Sequence, residues 1–294
     1  MNGEKTSILE KIIQTTAVIE CSVSNGKKAV GTGFFFSVLF NKDGNKQGIY
    51  PYLVTNKHVI INAKDGLFKV KISDGTAKGR VNSINFKPSD WIFHPDESVD
   101  VAIMNIAGAL NHYSKEKTPV IFNSISAEII PTPSQIESQL DAIEDIIFIG
   151  YPSGIYDEDQ LIPIARKGIT ATPISKNFRN KPQFLIDASV FPGSSGSPVF
   201  IINKGMYAAK EGGVMLGGSR VLFLGILSKA HYRKADGDLT VLDVPVVQFP
   251  IFKPNEMIDL GVVIKAQVID DFIKDTIKNV EGSKEKAPTS NAGV

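Results

Sequence analysis

The segment Pro192 to Phe200 reads PGSSGSPVF, with glycines on both sides of a serine pair and an apolar run behind it. Glycine tolerates positive φ and lets another molecule approach the backbone closely. A turn of this kind can aim the amides of Gly193 and Ser195 at one point, with Ser194 a third candidate, and so hold a tetrahedral oxyanion. A Gly/Ser hairpin loop is the competing reading of the same residues. A serine hydroxyl is a weak nucleophile until a base takes its proton. The chain has four histidines, at positions 58, 94, 112 and 231. His58 lies in YLVTNKHVI, directly behind an apolar run, whereas His94 precedes a proline and His112 and His231 lie in polar stretches. An imidazole base needs a carboxylate to orient it and to stabilise its charged form. Asp100 opens DVAIMNI, where an ionised group leading into an apolar strand is costly without a partner. Asp96, in HPDES, reads as a solvated loop residue.

Elements must bring these residues together, and the chain supplies mainly strands. Short runs rich in Val, Ile, Phe and Tyr recur between clusters of Gly, Asn, Asp and Pro, among them AVIECSV, VGTGFFFSVLF, VAIMNI, IIFIGYP, FLIDAS and VLFLGIL. Such spacing suggests a sandwich or barrels. The helical patterns that a doubly wound sheet requires between strands are missing. Ile8, Leu9, Ile12 and Ile13 predict a lead-in helix within residues 1–16. PTPSQIESQLDAIED, residues 131–145, has two prolines and then helical spacing, and reads as a connector between a β-rich half at 17–130 and another at 146–280. Val268, Ile269, Phe272, Ile273 and Ile277 predict an amphipathic helix over Gln267–Asn279. The tail, 281–294, lacks anchoring apolar residues and is expected to be disordered.

With 294 residues and 43% hydrophobic content, the chain can bury a substantial core. A net charge of +1 gives no field that would favour nucleic acid as the main partner. The one cysteine, Cys21, excludes an intramolecular disulfide and sits in an apolar stretch as a packing residue. The histidines and the cysteine show no zinc-like spacing, so no metal or other cofactor is expected. A polar N-terminus and the lack of a long apolar run lead to the expectation of a cytoplasmic protein with no membrane contact.

Thr55–Ile60 (TNKHVI) behind Gly31-Thr32-Gly33, Asp100–Met104 (DVAIM), and Gly193–Pro198 (GSSGSP) resemble the three signature segments of trypsin-like serine proteases, in the order His, Asp, Ser. The flavour is similar to bacterial HtrA/Deg-type proteases and glutamyl endopeptidases. IIFIGYPSG with PIARKGITATPIS, FLGILSKA, and LGVVIKAQVIDDFIKDTIK resemble further strands and the last helix of that fold, so the likeness covers roughly residues 15 to 280. The resemblance implies an all-β fold of two six-stranded antiparallel barrels (chymotrypsin-like) with a C-terminal helix. The first barrel would carry His58 and Asp100, and the second would carry Ser195. It implies a serine endopeptidase with a protein or peptide substrate and an acyl-enzyme intermediate. The substrate pocket would lie near Ser189, Ser228, Lys229, Ala230 and Gly261. The uncharged Ser189 argues against Lys/Arg preference, and Leu227 argues against Glu preference, leaving small or medium apolar side chains. A basic residue, Lys210, Lys229 or Arg220, entering from a loop would change that. Phe191 and Ser197 depart from common family patterns, and no PDZ-like module follows. KGMYAAKEGGVMLGGSR reads as an exposed hairpin insertion or as a flap near the cleft. Two other readings stay open: a pseudoprotease that binds extended peptides on the same fold, and a protease silent until a regulatory partner or homo-oligomer orders it.

Overall fold

The computed structural model describes residues 7–23, 28–42, 46–76, 78–234, 239–243 and 255–285. The lead-in helix is α1 (Ile8–Ile13). Ser7 and Glu10 close a reciprocal capping box that satisfies otherwise unpaired N–H groups at its start. The N-terminal half follows as β1 (Thr16–Val23), β2 (Lys28–Lys42), β3 (Lys46–Thr55), α2 (Lys57–Ile60), β4 (Ala63–Ile72), β5 (Arg80–Phe86), β6 (Ile92–Phe93), β7 (Ala102–Asn105), α3 (Ala107–Lys115), β8 (Val120–Ile121) and β9 (Ile125–Ser126). Helix α4 (Pro133–Gln139) lies in the expected connector. Thr132 caps it and Pro133 sits at its first position, where the missing N–H costs nothing. The C-terminal half comprises β10 (Asp145–Gly150), β11 (Ile164–Thr170), β12 (Gln183–Asp187), β13 (Pro198–Asn203), β14 (Met206–Ala208), β15 (Val214–Leu216), β16 (Arg220–Lys234), β17 (Leu239–Asp243), β18 (Asn255–Lys265) and α5 (Ala266–Glu285).

In the C-terminal half, β13, β10, β11, β12, β18 and β16 pair in that order, and β13 pairs back to β16. This closes a six-stranded antiparallel barrel. Strand β17 is attached outside the closed ring, on β16. The N-terminal half departs from the expected second closed barrel. Its hydrogen-bonded order is β5-β4-β1-β2-β3-β7-β6, with β8 on β4 and β9 on β2, and no pairing joins β5 to β6 among the described residues. The chain leaves β5 through a one-turn 3-10 segment, Pro88–Asp90, and β6 has only two residues. Phe86 and Trp91 meet edge to face across this junction, 5.4 Å between ring centroids, so side chains span the gap where a ladder would close.

Alternation along the strands feeds separate cores. On β2, Phe35 packs with Leu53, Val59, Phe68 and Cys21 inside the N-terminal sheet. Phe34 and Phe36, on the other face, pack with Phe200 and Phe223 from the C-terminal half and with Ile269, Phe272 and Ile273 of α5. A third core, including Phe148, Phe184, Val199 and Leu227, fills the barrel. Helix α5 therefore rests its apolar stripe against the junction of the two halves. It continues to Glu285, beyond the Asn279 end expected from the apolar pattern, and takes in the first five residues assigned to a disordered tail. Residues 286–294 lie outside the described residues.

Cys21 is buried in the N-terminal core, where desolvation and the nearby Asp65 carboxylate push its thiol up to about 12. An unfolded thiol ionises near ~8.5. The neutral thiol thus contributes stability that is full below that pH and lost as the pH rises toward the folded value. Native protein at pH 8 should react with a thiol-specific disulfide reagent only as fast as it unfolds. Rapid stoichiometric reaction without denaturant would contradict this burial.

Candidate active site

Helix α2 is a single turn that starts where β3 ends, and it carries His58 at its second position. Its base is tied to the Asp100 segment: Asn56 Nδ2 donates to the Asp100 carbonyl at 2.8 Å, and the His58 amide donates to Asp100 Oδ1 at 3.0 Å. His58 Nδ1 lies 2.6 Å from Asp100 Oδ2, and His58 Nε2 lies 2.9 Å from Ser195 Oγ. Ser228 Oγ, from β16, donates to Asp100 Oδ2 at 2.6 Å. Burial opposes the charge on Asp100, but hydrogen bonds from the His58 ring, the Ser228 hydroxyl and the His58 amide outweigh it and hold the carboxyl below its ordinary range. An ionised carboxylate only accepts hydrogen bonds. Nδ1 must then carry the imidazole proton, which leaves Nε2 as the acceptor for the Ser195 hydroxyl. Asp96 is elsewhere: it is exposed and accepts from the Ser98 amide at 2.8 Å.

The turn before Ser195 is fixed from three sides. The Ser194 amide donates to the Phe191 carbonyl at 3.0 Å, and Gly193 occupies the position that needs positive φ, at 89°. Thr32 Oγ1 donates to the Gly193 carbonyl at 2.8 Å, and the Ser153 amide donates to the Pro192 carbonyl at 2.5 Å. In a planar trans peptide, C=O and N–H point in opposite directions. Holding the Pro192 carbonyl on Ser153 therefore turns the Gly193 N–H the other way, and no acceptor among the described residues takes it. On the other side of the turn, the Thr32 amide donates to the Ser195 carbonyl at 2.8 Å, and the Gly196 amide donates to the Leu227 carbonyl at 2.9 Å.

Residues 31–206 match the family model of the trypsin-like peptidase domain. The chain belongs to the trypsin-like peptidase domain family. Within that domain the matched span holds His58, Asp100 and Ser195, and β16 to β18 follow it. No curated protein matches the chain by sequence. Among solved structures, one similar chain is an HtrA-type protease with tripeptide, at 14% identity and TM-score 0.46, covering 92% of this chain. This chain spans only 62% of that protein's length. A second is a scabies mite inactivated protease paralogue, at 14% identity and TM-score 0.45, covering 91% of this chain and 96% of the other. A third is HL collagenase, at 12% identity and TM-score 0.43, covering 90% and 94%.

The remaining predicted residues of this trypsin-like domain spread along the barrel wall. Ser189 is half-buried after β12. Gly261 faces Ile186 on β12 and Ala230 on β16. A Cβ at Gly261 would stand 2.9 Å from Ile186 and 3.0 Å from both Leu227 and Val190, so apolar side chains already fill that side. Lys229 and Ala230 lie in β16, between β17 on one edge and β18 on the other. Arg220 is held by Glu144 at 2.7 Å and Asn203 at 2.6 Å, and Lys210 is bound to the Glu137 carbonyl. The segment around Lys210 is the two-stranded β14–β15 hairpin, with Met206, Val214 and Leu216 exposed. Near the turn before Ser195, the Arg166 guanidinium sits 4.7 Å from the centre of the Phe191 ring.

Thr32, Asn56 and Ser153 hold the site; from the sequence they appear only inside the quoted motifs, with no role assigned to any of them. The Gly-Thr-Gly spacing contained one signal, because the glycines beside Thr32 admit Val59 and Ile19 where a Cβ would collide. Gly196 is just as constrained: at φ 90°, its Cβ would stand 1.8 Å from the Thr32 carbonyl. Gly196→Ala should abolish reaction of Ser195 with an active-site reagent and lower the melting temperature. A variant with unchanged labelling rate would show that this contact does not shape the turn.

Proposed function

We propose that this chain is a serine endopeptidase that cleaves peptide bonds through His58, Asp100 and Ser195. The observation that carries the reading is the continuous run of contacts from Ser228 and the His58 amide to Asp100, from Asp100 to Nδ1, and from Nε2 to Ser195 Oγ. Ser195 Oγ attacks the scissile carbonyl while His58 takes its proton. Asp100 keeps the imidazole in the tautomer that can accept that proton and stabilises the imidazolium formed. The carbonyl oxygen becomes an oxyanion held by the amides of Gly193 and Ser195; the Ser194 amide, the third candidate from the sequence, is instead spent on the Phe191 carbonyl that closes the turn. His58 then protonates the departing amine, and water hydrolyses the acyl-enzyme by the same steps in reverse. Ser189, Ser228, Lys229, Ala230 and Gly261 form the substrate-binding wall in this reading. The uncharged Ser189 in that wall favours small or medium apolar side chains next to the scissile bond.

Incubating unfolded protein with the chain should produce new N-termini, detectable by mass spectrometry, that are missing with Ser195→Ala. Equal sets of new termini from both proteins would refute the reading. A partner-activated form of the same activity is favoured by one observation: Ser195 is fully shielded from solvent.

A further inference from the structure

An extended substrate reaches a nucleophile at a sheet edge by adding itself as a strand, so that its backbone pairs with the strand beside the site. Here that strand is β16. Its Leu227 carbonyl and amide bond Gly196 and Ser197, and its Ser228 hydroxyl bonds Asp100, so residues from Ser228 onward run directly away from the triad. One edge of this stretch belongs to β18, through Lys229↔Val262 and Ala230↔Gly261. The other edge is the one left for a substrate, and the chain's own β17 occupies it.

The register is specific. Asp243 faces Lys229, Leu242 faces Ala230, Val241 faces His231, Thr240 faces Tyr232 and Leu239 faces Arg233. The pairing is antiparallel, so β17 runs from its far end at Leu239 toward the triad at Asp243. The acyl side of a bound substrate, entering along β16 with its C-terminal end at Ser195, would run in the same direction against the same residues. β17 is also not needed to build the barrel, because the six-stranded ring closes through β13 and β16 without it. Ser195 itself is fully shielded from solvent in this arrangement.

We infer that β17 is an autoinhibitory strand that holds the substrate-pairing edge of β16 and must leave before an extended polypeptide can be cleaved. This rests on the endopeptidase reading and adds its control. The exchange is one of backbone for backbone, since a substrate strand restores the inter-strand hydrogen bonds that β17 gives up. Segments that are unfolded and able to extend are the polypeptides that can compete for the edge, and folded proteins are excluded. β17 is an edge strand of five residues, a short ladder with few bonds to release.

The test uses two adjacent proline substitutions in the full chain, Val241→Pro and Leu242→Pro. Consecutive N–H groups on a strand point to opposite edges. Only one of the two prolines therefore removes an inter-strand donor, and proline is tolerated where the N–H faces outward. Three quantities are measured for the wild type and both variants: kcat/KM on a fluorescence-quenched unfolded protein, the end-point stoichiometry of fluorophosphonate labelling at Ser195, and thermal unfolding. The inference expects one variant to raise kcat/KM at least about tenfold and the other to stay near wild type. All three proteins should label to the same end point and unfold in one transition. Full labelling with wild-type kcat/KM in both variants overturns the inference and leaves the endopeptidase reading standing. Absence of labelling in all three folded proteins overturns the endopeptidase reading, and the inference falls with it.

Discussion

Ser195→Ala should reduce turnover of an extended polypeptide by about six orders of magnitude, the loss measured when a serine-protease nucleophile is removed. That corresponds to roughly 8 kcal/mol of transition-state stabilisation. The structure gives the reason for so large an effect. Ser195 Oγ is the hydroxyl within 2.9 Å of His58 Nε2, and the only carboxylate contacting that ring is Asp100 among the described residues. The neighbouring serines cannot substitute: the Ser194 and Ser197 hydroxyls are buried with no hydrogen-bond partner among the described residues. Because nucleophile and base act as one unit, Ser195→Ala combined with His58→Ala should be scarcely slower than either single variant. The check is kcat for the two single variants and the double variant. Near-additive losses would mean that His58 and Ser195 do not act together.

Asp100→Asn should lower kcat by about four orders of magnitude while leaving the fold intact. Oδ1 of Asp100 accepts from the His58 amide at 3.0 Å, so the asparagine oxygen must stay on that side. The amide nitrogen then replaces Oδ2, facing both His58 Nδ1 and Ser228 Oγ. An NH2 group donates and cannot accept, which forces the ring proton onto Nε2. In that tautomer His58 has no lone pair for the Ser195 proton. Ser228→Ala removes one donor to the carboxylate and leaves the tautomer unchanged, so its loss should be smaller by at least about a hundredfold, in line with ~1–3 kcal/mol for a hydrogen bond to a charged group.

The pH dependence gives a second check on Asp100. Its folded carboxyl titrates below the ordinary value because its hydrogen bonds exceed its desolvation cost. A depressed acid contributes stability that is present above the unfolded pKa, near ~3.9, and lost as pH falls through the lower folded value. Any stability advantage of wild type over Asp100→Asn should accordingly shrink on acidification below about pH 4. An advantage that grows with acid would contradict the assigned ion.

The sequence exposed the residues with chemistry because each stands against a contrasting background. Gly193 and Gly196 bracket serines in front of an apolar strand, and Asp100 introduces a charge into a run of Val, Ala and Ile. Strand-rich organisation was legible for the same reason, as was α5, whose Ile269, Phe272, Ile273 and Ile277 fall on one stripe. The open N-terminal sheet was not legible. Whether β5 and β6 pair depends on how Phe86 and Trp91 fill the space between them, and no local pattern encodes that. Thr32 and Ser153 stood in recognisable motifs, but their roles were hidden, because they hold the turn before Ser195 through contacts with Gly193 and Pro192, far away in the chain. The pairing of β17 along β16 was not legible, because a short run such as LTVLD does not say which strand it will join. Its consequence lies in which edge it covers.

The most direct measurement is the mass of the intact protein after exposure to a fluorophosphonate, followed by location of the adduct in a proteolytic digest. The expected result is a single adduct on Ser195, lost in His58→Ala although the serine is still there. An adduct on Ser194 or Ser197, or equal modification with and without the imidazole, would contradict activation of Ser195 by His58.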